Sequence, residues 1–235
     1  MRYPIPGQGS YKPLPRVLTT LVGALAIIEA ILSLADAGYL FDPNLRRQAY
    51  AYGAFWTGLL HGQYAAIYPG QKGLMFVTHA LLHGGMLHMI MNCTILLAMG
   101  RFVEEAYSAK VILPLFLLGA IGGGAVYALL AAGPYPMVGA SGAVFAFLGL
   151  WVAWDWRRHR QAGASVTPIY MRVAVLAGLN VFFFFGLDGS LAWQAHLGGF
   201  LVGLFVGHLL ESRLSAQQRA ARAEQRRRSW RGGGE

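Results

Sequence analysis

Cysteine is all but missing from this chain. Cys93 is the only one among 235 residues, so no intrachain disulfide can form. It lies in an apolar run and reads as a small packing residue. Charge is scarce too: 12% of residues are Asp, Glu, Lys or Arg, roughly half the share of a soluble globular domain. Hydrophobic residues make up 56%, and the mean hydropathy is +0.46. These values exclude an ordinary soluble enzyme and point to a polytopic membrane protein. Acidic residues are rarest, ten against nineteen basic, for a net charge of +9. Such basicity raises nucleic acid as a partner, but the positive charge sits after Leu210 and in loops between apolar runs. That pattern belongs to membrane orientation and anionic lipid, so the expected partners are the bilayer and membrane proteins, with no nucleic acid. The inverted repeats and charged pathways of a transporter are absent as well.

What is present is a set of apolar runs. Residues 17–35, 79–99, 111–132, 141–156, 170–187 and 193–210 read as six membrane spans, giving an all-α membrane bundle. Ala35-Asp36-Ala37 could pass for a signal-peptidase site, but nineteen apolar residues exceed the usual signal core of about 7–15. The run at 141–156 is short for a span and suits a helix that starts below the surface, facing protein or water. Residues 38–78 form a large first loop too polar to span yet rich in Tyr, Phe and Trp; 45–60 within it read as an interfacial helix. Glu29 falls inside the first span and should face the bundle, where a polar interhelical contact is its expected role. The resulting organisation is an N-terminal arm at 1–16, a membrane domain at 17–211 and a basic tail at 212–235. Sixteen of the nineteen basic residues share the side of the two termini, leaving only Arg46, Arg47 and Lys72 opposite. Both termini are therefore expected in the cytoplasm.

This topology brings Ser141, His83, His88 and His196 to similar depth from the non-cytoplasmic face. Intramembrane polar groups are costly and usually face a cavity or partner, so their convergence carries more weight than any one of them. Ser141 is flanked by glycine in Gly139-Ala140-Ser141-Gly142, which lets other backbone and a substrate approach closely. The tetrapeptide is not the elbow of soluble hydrolases, because Ala143 stands where Gly-x-Ser-x-Gly needs glycine. Taken alone it is also ordinary small-residue packing or a helix cap. A serine alcohol becomes a nucleophile only when a base takes its proton, and His196 is the candidate. Gly199, Gly203 and Gly207 continue its helix as a smooth stripe that could pack beside Ser141, Phe145 and Gly149. A backbone partner would satisfy His196 equally well. His88 and Asn92, four residues apart on one helix face, can donate to an oxyanion, as can the Ser141 amide at a helix start. His79, His83 and His88 together could offer three imidazoles to a metal, but no acidic residue is nearby to complete a site. No metal or cofactor is expected. Asp188 lies near His196 in sequence and reads as a solvated loop residue.

In combination these motifs resemble the rhomboid intramembrane serine proteases over about residues 78–207. His83-Gly-Gly-Met-Leu-His88-Met-Ile-Met-Asn92 is similar to the family's second-helix signature. Gly139-Ala140-Ser141-Gly142 resembles its nucleophile motif, and Ala195-His196-Leu-Gly-Gly199 with Gly203 its base motif. The resemblance implies a six-helix rhomboid-like bundle and a Ser141–His196 dyad, with His88 and Asn92 holding the oxyanion. It also implies a supporting role for His83 and a structural Glu104 four residues after Gly100. Substrates would be single-span membrane proteins with small or helix-destabilising residues near the cut. A rhomboid-like protein that binds or escorts clients without cutting them is the alternative. Two positions depart from the pattern. Phe145 stands where many bacterial members have a tyrosine stacked on the base, and Leu74-Met75 replaces a Trp-Arg pair that anchors the large loop. Phe182 to Phe185 could line a gate for the substrate or face lipid. The compact core fits a bacterial inner membrane.

Overall fold

The computed structural model describes residues 13–40, 42–131, 136–186 and 191–232, with side chains described as far as residue 213. Asp188 and most of the N-terminal arm lie outside the described residues. The chain is all-helical: α1 (Arg16–Asp36), α2 (Leu45–Gly53), α3 (Thr57–Leu60), α4 (Gln71–Thr78), α5 (Met86–Ala106), α6 (Ile112–Leu130), α7 (Ser141–Ala162), α8 (Thr167–Gly186) and α9 (Trp193–Gly232). Among the described residues there is no strand, only an isolated antiparallel bridge between Phe55 and Met137.

Five helices, α1, α5, α6, α8 and the first half of α9, are long and apolar enough to cross a membrane. The protein is an integral multi-pass membrane protein. The sixth expected span is α7, which runs on to Ala162 and carries Asp155, Arg157 and Arg158 within its first eighteen residues. Its apolar part is enclosed by other helices: Ala143, Ala146, Phe147 and Leu150 have no accessible surface. Burial in protein lets this helix be more polar than one that meets lipid.

Two boundaries differ from the sequence-based expectation. The second span starts at Met86 rather than residue 79, because His79–Leu81 forms a 3-10 turn and Gly85, at φ +132°, turns the chain just before α5. His79 and His83 therefore precede the helix instead of lying in it. The last helix also runs past the expected end of its span: α9 continues without a break through the basic tail to Gly232. Its Ala, Gln, Arg and Glu are strong helix formers, and backbone hydrogen bonds do not stop where apolarity does.

The first loop is more broken than a single interfacial helix over 45–60. It comprises α2, α3 and α4, tied down by polar bonds. Arg46 reaches Glu29 through both terminal guanidinium nitrogens, at 2.8 and 3.1 Å, Asp36 through Nε at 2.6 Å and the His83 carbonyl at 2.8 Å. Glu29 has no exposed surface and also accepts from the Ser33 hydroxyl. It thus faces the bundle as expected, with a loop arginine as its partner. The Glu29 carboxylate holds the Arg46 guanidinium charged more firmly than usual. Gln71 donates to the Ala51 carbonyl at 2.7 Å, and Thr78 to that of Gly53 at 2.7 Å. Phe55 inserts its ring edge-on between Phe76 and Tyr127. Where the Trp-Arg pair was missed, Met75 is buried and Leu74 exposed. Anchoring therefore falls to Arg46, Gln71, Thr78 and Phe55.

Candidate active site

Lipid is as apolar as leucine, so helices in a membrane associate by close packing rather than by hydrophobic expulsion. The contact between α7 and α9 illustrates this. A Cβ on Gly199 would overlap the Gly142 carbonyl, and one on Gly203 the Ala146 carbonyl. From the other side, Gly149 meets the Phe200 carbonyl, while Gly207 faces Leu150 and Ala153. The glycine stripe of α9 therefore lies on the α7 face that starts at Ser141. Gly198 does the same toward α6, against Gly122 and Val126.

This seam brings Ser141 and His196 to the same end of two touching backbones. His196, 8% exposed, stacks its ring on Phe145 with centroids 4.3 Å apart and planes 6° from parallel. Phe145 is one helical turn from Ser141, so the imidazole lies along the Ser141 face of α7. The phenylalanine keeps the stacking surface expected of a tyrosine there. Ser141 is the first residue of α7 and Ala140 its N-cap, so the hydroxyl is not spent on capping. Ser141 and His196 share no hydrogen bond in the structure.

The loop leading to Ser141 is held by the histidines upstream of α5. Gly139 donates its N–H to the His79 carbonyl at 3.0 Å, and Ala140 donates to His83 Nε2 at 3.4 Å. His83 is fully buried, and its own carbonyl accepts from Arg46 and from the Tyr50 hydroxyl at 2.7 Å. His79 bonds the Ala120 carbonyl through Nε2 at 3.3 Å. The loop is thus fastened by the His83 imidazole and the His79 carbonyl, while the His79 imidazole is occupied on α6. Among the described residues, no group of three or more His, Cys, Asp or Glu is placed to hold a metal.

His88 is brought to the serine through Gly139. That glycine sits at φ +130°, and a Cβ on it would lie 2.8 Å from His88 Cε1, 3.0 Å from Nε2 and 3.8 Å from Ser141 Oγ. Backbone strain and lack of space both require glycine. The Gly84 amide donates to His88 Nδ1 at 3.3 Å, which makes Nε2 the protonated nitrogen, directed toward the serine loop. Asn92 lies one turn further along the same face of α5 and is buried. One of its amide protons goes to the His88 carbonyl at 3.0 Å, leaving a second donor.

One site residue escaped the sequence reading. Asn180 on α8 lies with its Oδ1 2.5 Å from His196 Nδ1. The signal was available, since Asn180 is the one amide in an otherwise apolar run of α8, and such residues rarely lack a function. An apolar cavity of about 440 Å³ lies between α7, α8 and α9, with His196 and Asn180 on its wall. Phe184 and Phe185 line it, whereas Phe182 is exposed and does not.

Comparison with known proteins bears on the family of the chain. The family model of the Rhomboid domain matches residues 70–213. RHOMBOID-like protein 4 of Arabidopsis thaliana is 32% identical over 147 residues, covering 61% of this chain and 36% of that protein. Rhomboid-like protease 3 of Toxoplasma gondii is 32% identical over 180 residues, 76% of this chain and 62% of its own length. Rhomboid protease GluP of Bacillus subtilis is 31% identical over 136 residues, 57% of this chain and 25% of its own. The chain thus spans less than two thirds of the length of each of these relatives.

Proposed function

The chain belongs to the rhomboid family, and on that premise we propose that it is an intramembrane serine endopeptidase. Its substrates are transmembrane segments of other membrane proteins, cut in or near the bilayer by Ser141 and His196. The observation that carries this reading is the stacking of His196 on Phe145, one turn from Ser141, across two helices in backbone contact.

The chemistry runs in two halves. Ser141 Oγ attacks the scissile carbonyl carbon while His196 Nε2 takes the hydroxyl proton. The C–O bond forms and the carbonyl oxygen becomes an oxyanion. His88 Nε2–H, the second Asn92 amide proton and the Ser141 backbone N–H are the donors that stabilise it. Collapse breaks the C–N bond, and the imidazolium gives its proton to the departing amine. Water, deprotonated by His196, then attacks the acyl ester, releasing the new carboxylate and restoring the serine. A carbonyl bonded within a helix resists attack, so clients with small or helix-destabilising residues near the cut are favoured.

Basic residues on the side of the termini support an orientation with both ends cytoplasmic, the site open to the opposite face. The test is fluorophosphonate labelling of the detergent-solubilised protein beside Ser141→Ala, His196→Ala and a rhomboid protease of known activity. Labelling of the wild type, lost in both folded variants, is the expected result. A folded wild type that never labels while the control does would replace this reading by a client-binding rhomboid-like protein.

A further inference from the structure

The dyad reading leaves open what holds the base. An imidazole in a buried apolar setting has two neutral tautomers, and only the one protonated on Nδ1 presents a free Nε2 lone pair to a serine. Something must choose between them. The bond from His196 Nδ1 to Asn180 Oδ1 is 2.5 Å long. The direction of the Asn180 amide is settled by its other end, because Nδ2 donates to the Leu176 carbonyl one turn back, at 2.9 Å. That leaves Oδ1, an acceptor only, facing the ring, so Nδ1 carries the proton.

The helix that supplies this acceptor is the least embedded of the bundle. Ile169 is the only buried residue of α8. Near its start α8 is fastened by the Arg172–Asp155 ion pair, by Arg172 over the Trp151 ring at 5.4 Å, and by Tyr170 edge-on to Trp156. Beyond Leu176, the Asn180–His196 bond is its only polar tie to the bundle among the described residues. The apolar cavity lies on this side of the helix.

We propose that Asn180 is a positioning residue: it holds His196 in the Nδ1–H tautomer, with Nε2 directed to Ser141, and thereby makes the base depend on where α8 sits. This rests on the protease reading. The catalytic groups remain Ser141 and His196, and Asn180 acts through the imidazole. Displacement of α8 removes the acceptor and leaves an unpaired N–H against an apolar wall, which favours the wrong tautomer or a rotated ring. The base is then competent only while α8 is docked.

The experiment compares full-length wild type, Asn180→Leu and Asn180→Asp in detergent, with thermal unfolding as the check on folding. Two readouts are taken. One is the second-order rate of fluorophosphonate labelling. The other is the nitrogen NMR signature of the His196 tautomer, assigned with His196→Ala. Asn180→Leu is expected to lower the labelling rate at least ~10-fold and to lose the Nδ1–H signature, whereas Asn180→Asp, which keeps an acceptor, retains both. Labelling of Asn180→Leu at the wild-type rate would overturn the proposal. So would slower labelling with the Nδ1–H signature intact, which marks a merely structural role. If the wild type fails to label, the protease reading falls, but the tautomer comparison still decides whether Asn180 sets the imidazole.

Discussion

Along α7 and α9 the backbones lie so close that a methyl group on Gly199 would overlap the Gly142 carbonyl. On the other flank of the same histidine, α8 buries only Ile169 and holds the ring through one side-chain bond. The proposed nucleophile and base thus sit on a seam with no slack, and the orientation of the base is entrusted to a helix with a great deal. A glycine seam has few alternative packings and sets distance. A single hydrogen bond can open without unfolding anything, so on the α8 side the position of the ring can change where the seam cannot.

The contrast can be broken most severely at the seam. Gly199→Leu should cost at least the ~3 kcal/mol upper range of overpacked cores and abolish labelling, since α9 must move away from α7. Thermal unfolding in detergent together with fluorophosphonate labelling checks it. Next in size is the proposed oxyanion face: if the protease reading holds, Asn92→Ala should lower turnover of a transmembrane substrate by about 10²-fold with folding unchanged. A smaller effect on stability is expected at the loop anchor. Glu29→Ala leaves the Arg46 guanidinium with Asp36 and the His83 carbonyl, and should destabilise by about 1–3 kcal/mol in an unfolding measurement. Smallest is the exposed face of α8, where Phe182→Ala should change labelling by less than about twofold, because its ring is exposed and does not line the cavity. A large loss there would mean that the outer face of α8 matters as much as the seam.

How much of this was readable beforehand depends on how local each signal is. Ser141 between glycines, the His88 and Asn92 pair and the four-residue glycine spacing of α9 are patterns within one helix, and all were legible. So was the inward orientation of Glu29, because a carboxylate cannot face lipid. Its partner Arg46 was not, since the pairing joins a span to a separate loop helix. Asn180 failed to stand out for the same reason: an amide in an apolar run announces a partner without saying which. The second span reads as starting at residue 79 because His79 to Leu82 is apolar enough to pass for helix, whereas the turn at Gly85 depends on a backbone angle that the residue type permits without requiring.

By itself the sequence determined the helical membrane architecture, the family and the residue types available for chemistry, because hydropathy, charge asymmetry and glycine spacing are written along one dimension. The tertiary structure decided the relations between helices. It set Gly199 on Gly142, laid His196 on Phe145, brought His88 to Gly139 and gave the imidazole an acceptor from α8. The physical reason is that which faces meet depends on backbone contacts that only the assembled bundle creates, and no spacing within a single helix encodes the partner across the seam.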